Sequence, residues 1–347
     1  MEEVLGAHTE PEQFERFIHD WEAILSRRVD EVVQTFAEIP GMRGLILAGS
    51  LGRGEPWPLS DIDLLPIYER STSDRTRTAV ELRRVEPLKR WAREGWWSGI
   101  DIGSLVFYQD EVSQAFQNGA DGVLARLQDP RWYHSVDKGY RGRAVYDPSG
   151  LASRLVQWFT ENRFEADVTR LRLAHDVGEL QQAWERVQKS RIARDNLGVV
   201  KELLAAVGWL RIWYMEGWGE RDNSLARFGS RFEQVAISRG RRDLVDEINE
   251  LVDLNDEMVP QRMNLAPRWV GERHERQWRA RQFVGERVTR LQDARDVLRV
   301  SVHYALRETV AGPIPEWLSI PDDVELIDEK ISSLAELIHP AISAVDQ

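Results

Sequence analysis

Apolar residues recur at three- and four-residue spacing over residues 11–38, where Phe14, Phe17, Ile18, Trp21, Ile24, Leu25 and Val29 share one face of a predicted helix. Pro40 and Gly41 end that pattern. The period then shortens. Residues 45–48 (LILA) form an unbroken apolar run of the kind a buried strand shows, a Gly- and Pro-rich loop covers 49–60, and residues 61–68 (DIDLLPIY) read as a second strand. Pro66 gives the far end of that strand an edge-like character, because proline cannot donate to a ladder. A charged helix is expected over 74–94, a third strand over 100–108 (IDIGSLVFY) and a last strand over 143–146, closed by the turn DPSG.

Past Gly150 the alternation stops. Helical periodicity dominates residues 151–189, 191–217, 224–238, 242–258, 272–310 and 322–345, with breaks at Gly, Asn and Pro clusters such as 264–267 and 312–315. No repeat of fixed period and no low-complexity tract is present. The pattern predicts an α+β protein: a small mixed-sheet domain over residues 1–150, led by its N-terminal helix, then an all-helical bundle domain over 151–347.

The chain has 347 residues, enough for two domains that each bury a core. The longest apolar stretch, residues 203–210, is far short of the ~18 residues that a membrane span needs. The first residues are acidic and lack the charged-then-apolar order of a signal peptide, so a cytoplasmic location is expected. Cysteine is absent, which excludes disulfides, thiolate nucleophiles and sulfur-ligated zinc. The net charge is −12, with 18 basic against 25 acidic residues in 1–150 and 28 against 33 in the remainder. Neither half can offer a broad phosphate-tracking surface, so nucleic acid is an unlikely partner and a cationic small molecule a better one.

The chemistry concentrates in residues 45–68, LILAGSLGRGEPWPLSDIDLLPIY. A buried strand runs into Gly49 and Ser50, followed by Gly52, Arg53 and Gly54. Small residues there let backbone amides approach an anion, and a helical turn starting at Ser50 would aim its positive end at a phosphate. Asp61 and Asp63 follow, on one face of the next strand because side chains alternate. Two such carboxylates repel unless a cation lies between them, and oxygen donors favour Mg²⁺. Asp101, set between Ile100 and Ile102, supplies a third acid; if its strand lies beside that of Asp61 and Asp63, the three converge as a two-metal site would require.

This order of Gly49-Ser50, Arg53-Gly54-Glu55 and residues 60–65 (SDIDLL) resembles the nucleotidyltransferase superfamily of DNA polymerase β type, and within it the small bacterial antibiotic (aminoglycoside) nucleotidyltransferases. Residues 143–150 resemble the segment that closes their catalytic domain. The resemblance covers about residues 40–150. It implies a Mg²⁺-dependent enzyme with two ions, moving a nucleoside monophosphate from ATP or another nucleoside triphosphate to a hydroxyl of a small cationic molecule. It makes Asp61 and Asp63 the shared metal ligands and Asp101 either a ligand or the base for the acceptor hydroxyl. Gly49 and Ser50 would bind the β- and γ-phosphates, with Ser60 adding a hydrogen bond. Arg53 would pair with the triphosphate or bridge to Glu55. Lys201, one of five lysines, would reach the phosphates from the helical half or lie on a solvated helix face. Rival readings are a protein or RNA acceptor, and a non-enzymatic antitoxin-like module that keeps the fold.

Other signals are weaker. Trp209, Trp213, Tyr214 and Trp218 stand at helical spacing, as core packing or a stacking surface would require. Arg170 and His175 match a loose ribonuclease-like pattern that chance explains, and His274-Glu275 lacks the second histidine of a zinc helix. The oligomeric state is left open.

Overall fold

The computed structural model describes residues 11–96, 98–117, 119–221, 226–308 and 315–343. The predicted first helix is two, α1 (Pro11–His19) and α2 (Trp21–Ala37), broken at Asp20. Strand β1 (Met42–Leu47) leads into a five-residue helix α3 (Gly49–Arg53), and β2 (Ile62–Tyr68) follows. Helix α4 (Ser73–Arg93) comes next. The predicted third strand is two short ones, β3 (Ile100–Ile102) and β4 (Phe107–Tyr108), separated at Gly103, whose φ of +99° takes the chain off the extended path. Residues 109–142, unassigned in the sequence, fold as α5 (Gln109–Ala115), α6 (Gly119–Arg126) and α7 (Pro130–Lys138). Strand β5 (Arg143–Tyr146) and helix α8 (Leu151–Asn162) complete this part.

The small mixed sheet runs β3-β2-β1-β5, and β4 also pairs with β2. β1 lies antiparallel to both β2 and β5, whereas β3 and β4 lie parallel to β2. β2 is therefore an interior strand, contrary to the edge-like reading of Pro66. Pro66 faces Leu45 of β1 and falls between the residues of β2 that pair with β3 (62–64) and those that pair with β4 (67–68). A residue without an amide hydrogen is tolerated there because the outer ladder is already interrupted.

Alternation decides what each face holds. Leu45, Leu47, Ile62, Leu64, Tyr68, Ile100 and Ile102 point to one side, where Trp21, Leu25, Val32 and Phe36 of α2 and Val80 and Trp91 of α4 bury them. Asp63 and Asp101 consequently belong to the opposite face. There α8 covers β1, with a Cβ at Gly44 reaching within 3.3 Å of the Ala152 methyl, and Phe107, Trp132, Trp158 and Phe159 form an aromatic cluster.

The chain divides into two compact units, Met1–Val168 with Ala280–Gly285, and Thr169–Arg279 with Glu286–Gln347. The strands do stop before residue 150, but the first unit continues through α8, because Ala152, Leu155 and Phe159 are buried in it. The second unit is helical among the described residues: α9 (Ala166–Ile192) past its first turn, α10 (Asn196–Gly217), α11 (Phe228–Ser238), α12 (Arg242–Leu251), α13 (Met258–Leu265), α14 (Arg268–Phe283) up to Arg279, α15 (Arg290–Glu308) and α16 (Val324–Ser343). Its core includes Leu180, Leu203, Leu210, Ile248, Leu298 and Leu334. Buried Arg262 ties it together by donating to the carbonyls of Val252, Asp253, Trp317 and Leu318 at 3.0–3.3 Å. No helix among the described residues is long and apolar enough to cross a membrane.

Candidate functional site

The site starts where β1 ends. The Ala48 amide donates to the Asp63 carbonyl at 2.9 Å, which locks the turn to β2. Gly49 has φ +61°, and a Cβ there would lie 1.9 Å from Asp63 Oδ2. Only glycine satisfies both demands, since an L side chain in the left-handed region is strained and here would overlap a carboxylate. Helix α3 begins at Gly49, so the first amides of its turn have no carbonyl partner within the helix. Ser50 and Ser60 come together, their hydroxyls 2.9 Å apart, and the buried Ser60 Oγ also accepts from the Trp57 amide at 3.0 Å. Ten residues of loop thus return to their starting point, and Gly49, Ser50, Ser60 and Asp63 form one cluster.

The three acids are arranged unequally. Asp63 and Asp101 are direct register partners on the parallel strands β2 and β3, so their side chains leave the same face side by side. Asp61 lies just before β2, and its Oδ1 accepts from the Gly99 amide at 3.1 Å. Between Asp63 and Asp101 stands Lys138, the last residue of α7. Its Nζ lies 2.9 Å from Asp63 Oδ1 and also donates to Asp101 Oδ2. Ser104 Oγ donates to the other Asp101 oxygen at 2.8 Å.

Lys138 is placed by several contacts. Asp129 caps α7 by accepting from the Arg131 amide, with Pro130 in the first turn. At the other end the guanidinium of fully buried Arg163 donates to Asp137 at 2.7 Å. Gly139 lets the ring of Phe159 approach so closely that a Cβ would meet it at 2.4 Å.

Charge follows geometry. The crowding of surrounding protein, then the neighbouring Asp63, raises the Asp61 carboxyl to about 6 although the residue keeps an exposed side, and the Gly99 hydrogen bond acts the other way. Burial also opposes ionisation of Asp101, but the attraction and hydrogen bond of Lys138, with Ser104, outweigh it and hold this carboxyl below its usual value. Lys138 is likewise penalised by burial, yet Asp63 and Asp101 raise it above an ordinary lysine.

Asp63 and Asp101 direct one oxygen each at a single cationic atom, Lys138 Nζ, and two such carboxylate oxygens are the kind of donor a hard cation takes. Among the described residues, however, no three His, Asp or Glu side chains gather at metal-holding spacing.

The remaining predicted residues lie elsewhere or act locally. Arg53 is nearly buried, not a surface residue, and pairs with Glu55 at 3.2 Å. Lys201 is an exposed residue of α10 in the second unit. Trp209, Trp213, Tyr214 and Trp218 are half-buried against the core of that unit, Trp218 stacking on Phe232 at 5.9 Å. His175 contacts Trp209 edge-on, and His274 is buried near Asp293. Lys138 is the residue that sequence reasoning missed. Its signals were the pair Asp129-Pro130, a helix start, and the apolar face of Trp132, Tyr133 and Val136 that follows.

No protein-family model matches the sequence, and no curated protein does. Among solved structures, the chain is similar to a nucleotidyltransferase-like protein from Exiguobacterium sibiricum, with 9% identity and a TM-score of 0.32 over 93% of this chain and 81% of that one.

Proposed function

We propose that the chain is a nucleotidyltransferase that moves a nucleoside monophosphate from ATP or another nucleoside triphosphate to a hydroxyl of a small cationic molecule. The observation that carries this reading is the pairing of Asp63 with Asp101, register partners with a cation between them, directly against the Gly49-Ser50 turn. Asp63 and Asp101 would hold Mg²⁺, with Asp61 beside them. When bound, the ion neutralises the phosphate charge that builds up during displacement.

The residues of the chain divide the remaining work. Gly49 offers bare backbone to the phosphates, while Ser50, oriented by Ser60, donates a hydroxyl to them. The acceptor oxygen forms a bond to the α-phosphorus, the bond from that phosphorus to the bridging oxygen breaks, and pyrophosphate leaves. Asp101, the register partner of Asp63, serves as a ligand with it. Asp61, which stands beside them with one oxygen on the Gly99 amide, takes the hydroxyl proton. An acidic protein suits a cationic acceptor, and aminoglycosides have the required charge and hydroxyls.

The test is incubation with nucleoside triphosphates labelled at the α-phosphate, Mg²⁺ and a panel of aminoglycosides, lincosamides and cell extract. Label is expected on a small molecule, with pyrophosphate released, and Asp63→Ala should lose it by at least about a thousandfold. Label on protein would move the acceptor to a macromolecule. An undiminished Asp63→Ala enzyme, or no transfer with any nucleotide, would end this reading.

A further inference from the structure

We infer that Lys138 is a resident cation of the carboxylate pair, occupying the place a divalent metal takes, so that metal uptake by Asp63 and Asp101 requires Lys138 to leave. The inference rests on the reading of these acids as metal-holding. Lys138 Nζ takes one oxygen from each aspartate, as an ion shared by two carboxylates would. The backbone enforces this convergence, because the acids are register partners on adjacent parallel strands. Of the other two oxygens, Asp101 Oδ1 accepts from the Ser104 hydroxyl and Asp63 Oδ2 packs close to Gly49. A second cation between the two oxygens that Lys138 holds meets the charge and volume of the ammonium, and so competes with it.

Lys138 arrives there by construction. The Arg163–Asp137 bond and the Phe159 ring over Gly139 fix the end of α7. The ammonium itself is on a flexible four-carbon stem. It competes at a local concentration that does not depend on the metal level, as any tethered ligand does. It can also swing aside when another anion compensates it, and a bound triphosphate is such an anion. Bare metal should therefore bind weakly, and metal with nucleotide well.

The experiment titrates Mn²⁺ into the full chain without nucleotide and follows free Mn²⁺ by electron paramagnetic resonance. Lys138→Gln should bind Mn²⁺ at least about tenfold tighter than wild type, because the competing ammonium is gone. Adding Asp101→Asn should cancel the gain, and Lys138→Arg should bind as weakly as wild type. Equal or weaker binding by Lys138→Gln, including none, overturns the inference. A wild-type measurement covers the case in which the variant does not fold. With only five lysines, selective ¹⁵N labelling resolves the Lys138 ammonium, whose signal should move toward that of a free lysine as Mg²⁺ saturates the protein. An unmoved signal overturns the inference as well. Transfer activity with equal Mn²⁺ affinities removes the inference and keeps the proposed function; tightened Mn²⁺ binding with no transfer does the reverse.

Discussion

Asp61 is the residue on which the site bears most heavily. Its carboxyl sits at about 6 in the folded chain, against about 3.9 for an unfolded aspartate, so the folded state holds the extra proton between those values. Stability must then fall as pH rises from about 4 to 6 and stay lower above that. Asp61→Asn keeps an oxygen for the Gly99 amide and removes the charge. In metal-free buffer it should be the more stable protein at pH 7.5 by about 1 kcal/mol, after discounting for the solvent-facing side of this residue, and no more stable at pH 4. Thermal melts at the two pH values measure this; a gain of the same size at both would show that charge is not the cause. Gly49 has the opposite sensitivity. Gly49→Ala adds a methyl in a left-handed backbone and onto Asp63 Oδ2, so a loss of about 1–3 kcal/mol in urea midpoints is expected, with transfer activity falling further because Asp63 is displaced.

Elements explain why part of this was legible beforehand. The alternation of residues 62–65 and 100–102 sets Asp63 and Asp101 opposite their apolar neighbours, and a change of period at residue 150 announces the helices; that the two acids share a face follows from the pairing of β2 with β3. Helix α7 was not legible in the same way. At nine residues it is below the length at which periodicity separates a helix from chance, and its neighbours α5 and α6 are shorter still. Its place beside the sheet is set by tertiary contacts, of which Arg163–Asp137 is central. The break of the third strand at Gly103 and the interior place of Pro66 also depend on pairings across the sheet, which no local pattern encodes. Arg163→Met should therefore cost about 3–5 kcal/mol, the range for breaking a buried ion pair. Adding Asp137→Leu should recover part of that loss in denaturant titrations, because it removes the carboxylate that lost its guanidinium. If the double variant is as damaged as the single one, packing rather than charge holds the end of α7.

Each of the two compact units has a hydrophobic core of its own, one built on the sheet face lined by Leu45, Ile62 and Ile100, the other built mainly from helices among the described residues. Separate cores imply separate cooperativity, so calorimetric unfolding should give a larger enthalpy than the van't Hoff analysis of a single transition. Arg262 allows the units to be told apart. Burial lowers its pKa to about 10, Asp253 opposing, so it is still charged at neutral pH, and it serves four backbone carbonyls of the helical unit. Arg262→Met would leave those carbonyls without their donor at about 1–3 kcal/mol for each that water cannot reach. The transition of the helical unit should drop by several degrees while that of the sheet unit holds. The Lys138 signal of the ¹⁵N-lysine spectrum identifies which is which, since Lys138 belongs to the sheet unit and should persist through the first transition. If both transitions fall together, the two cores unfold as one, and the division of the chain is architectural without being thermodynamic.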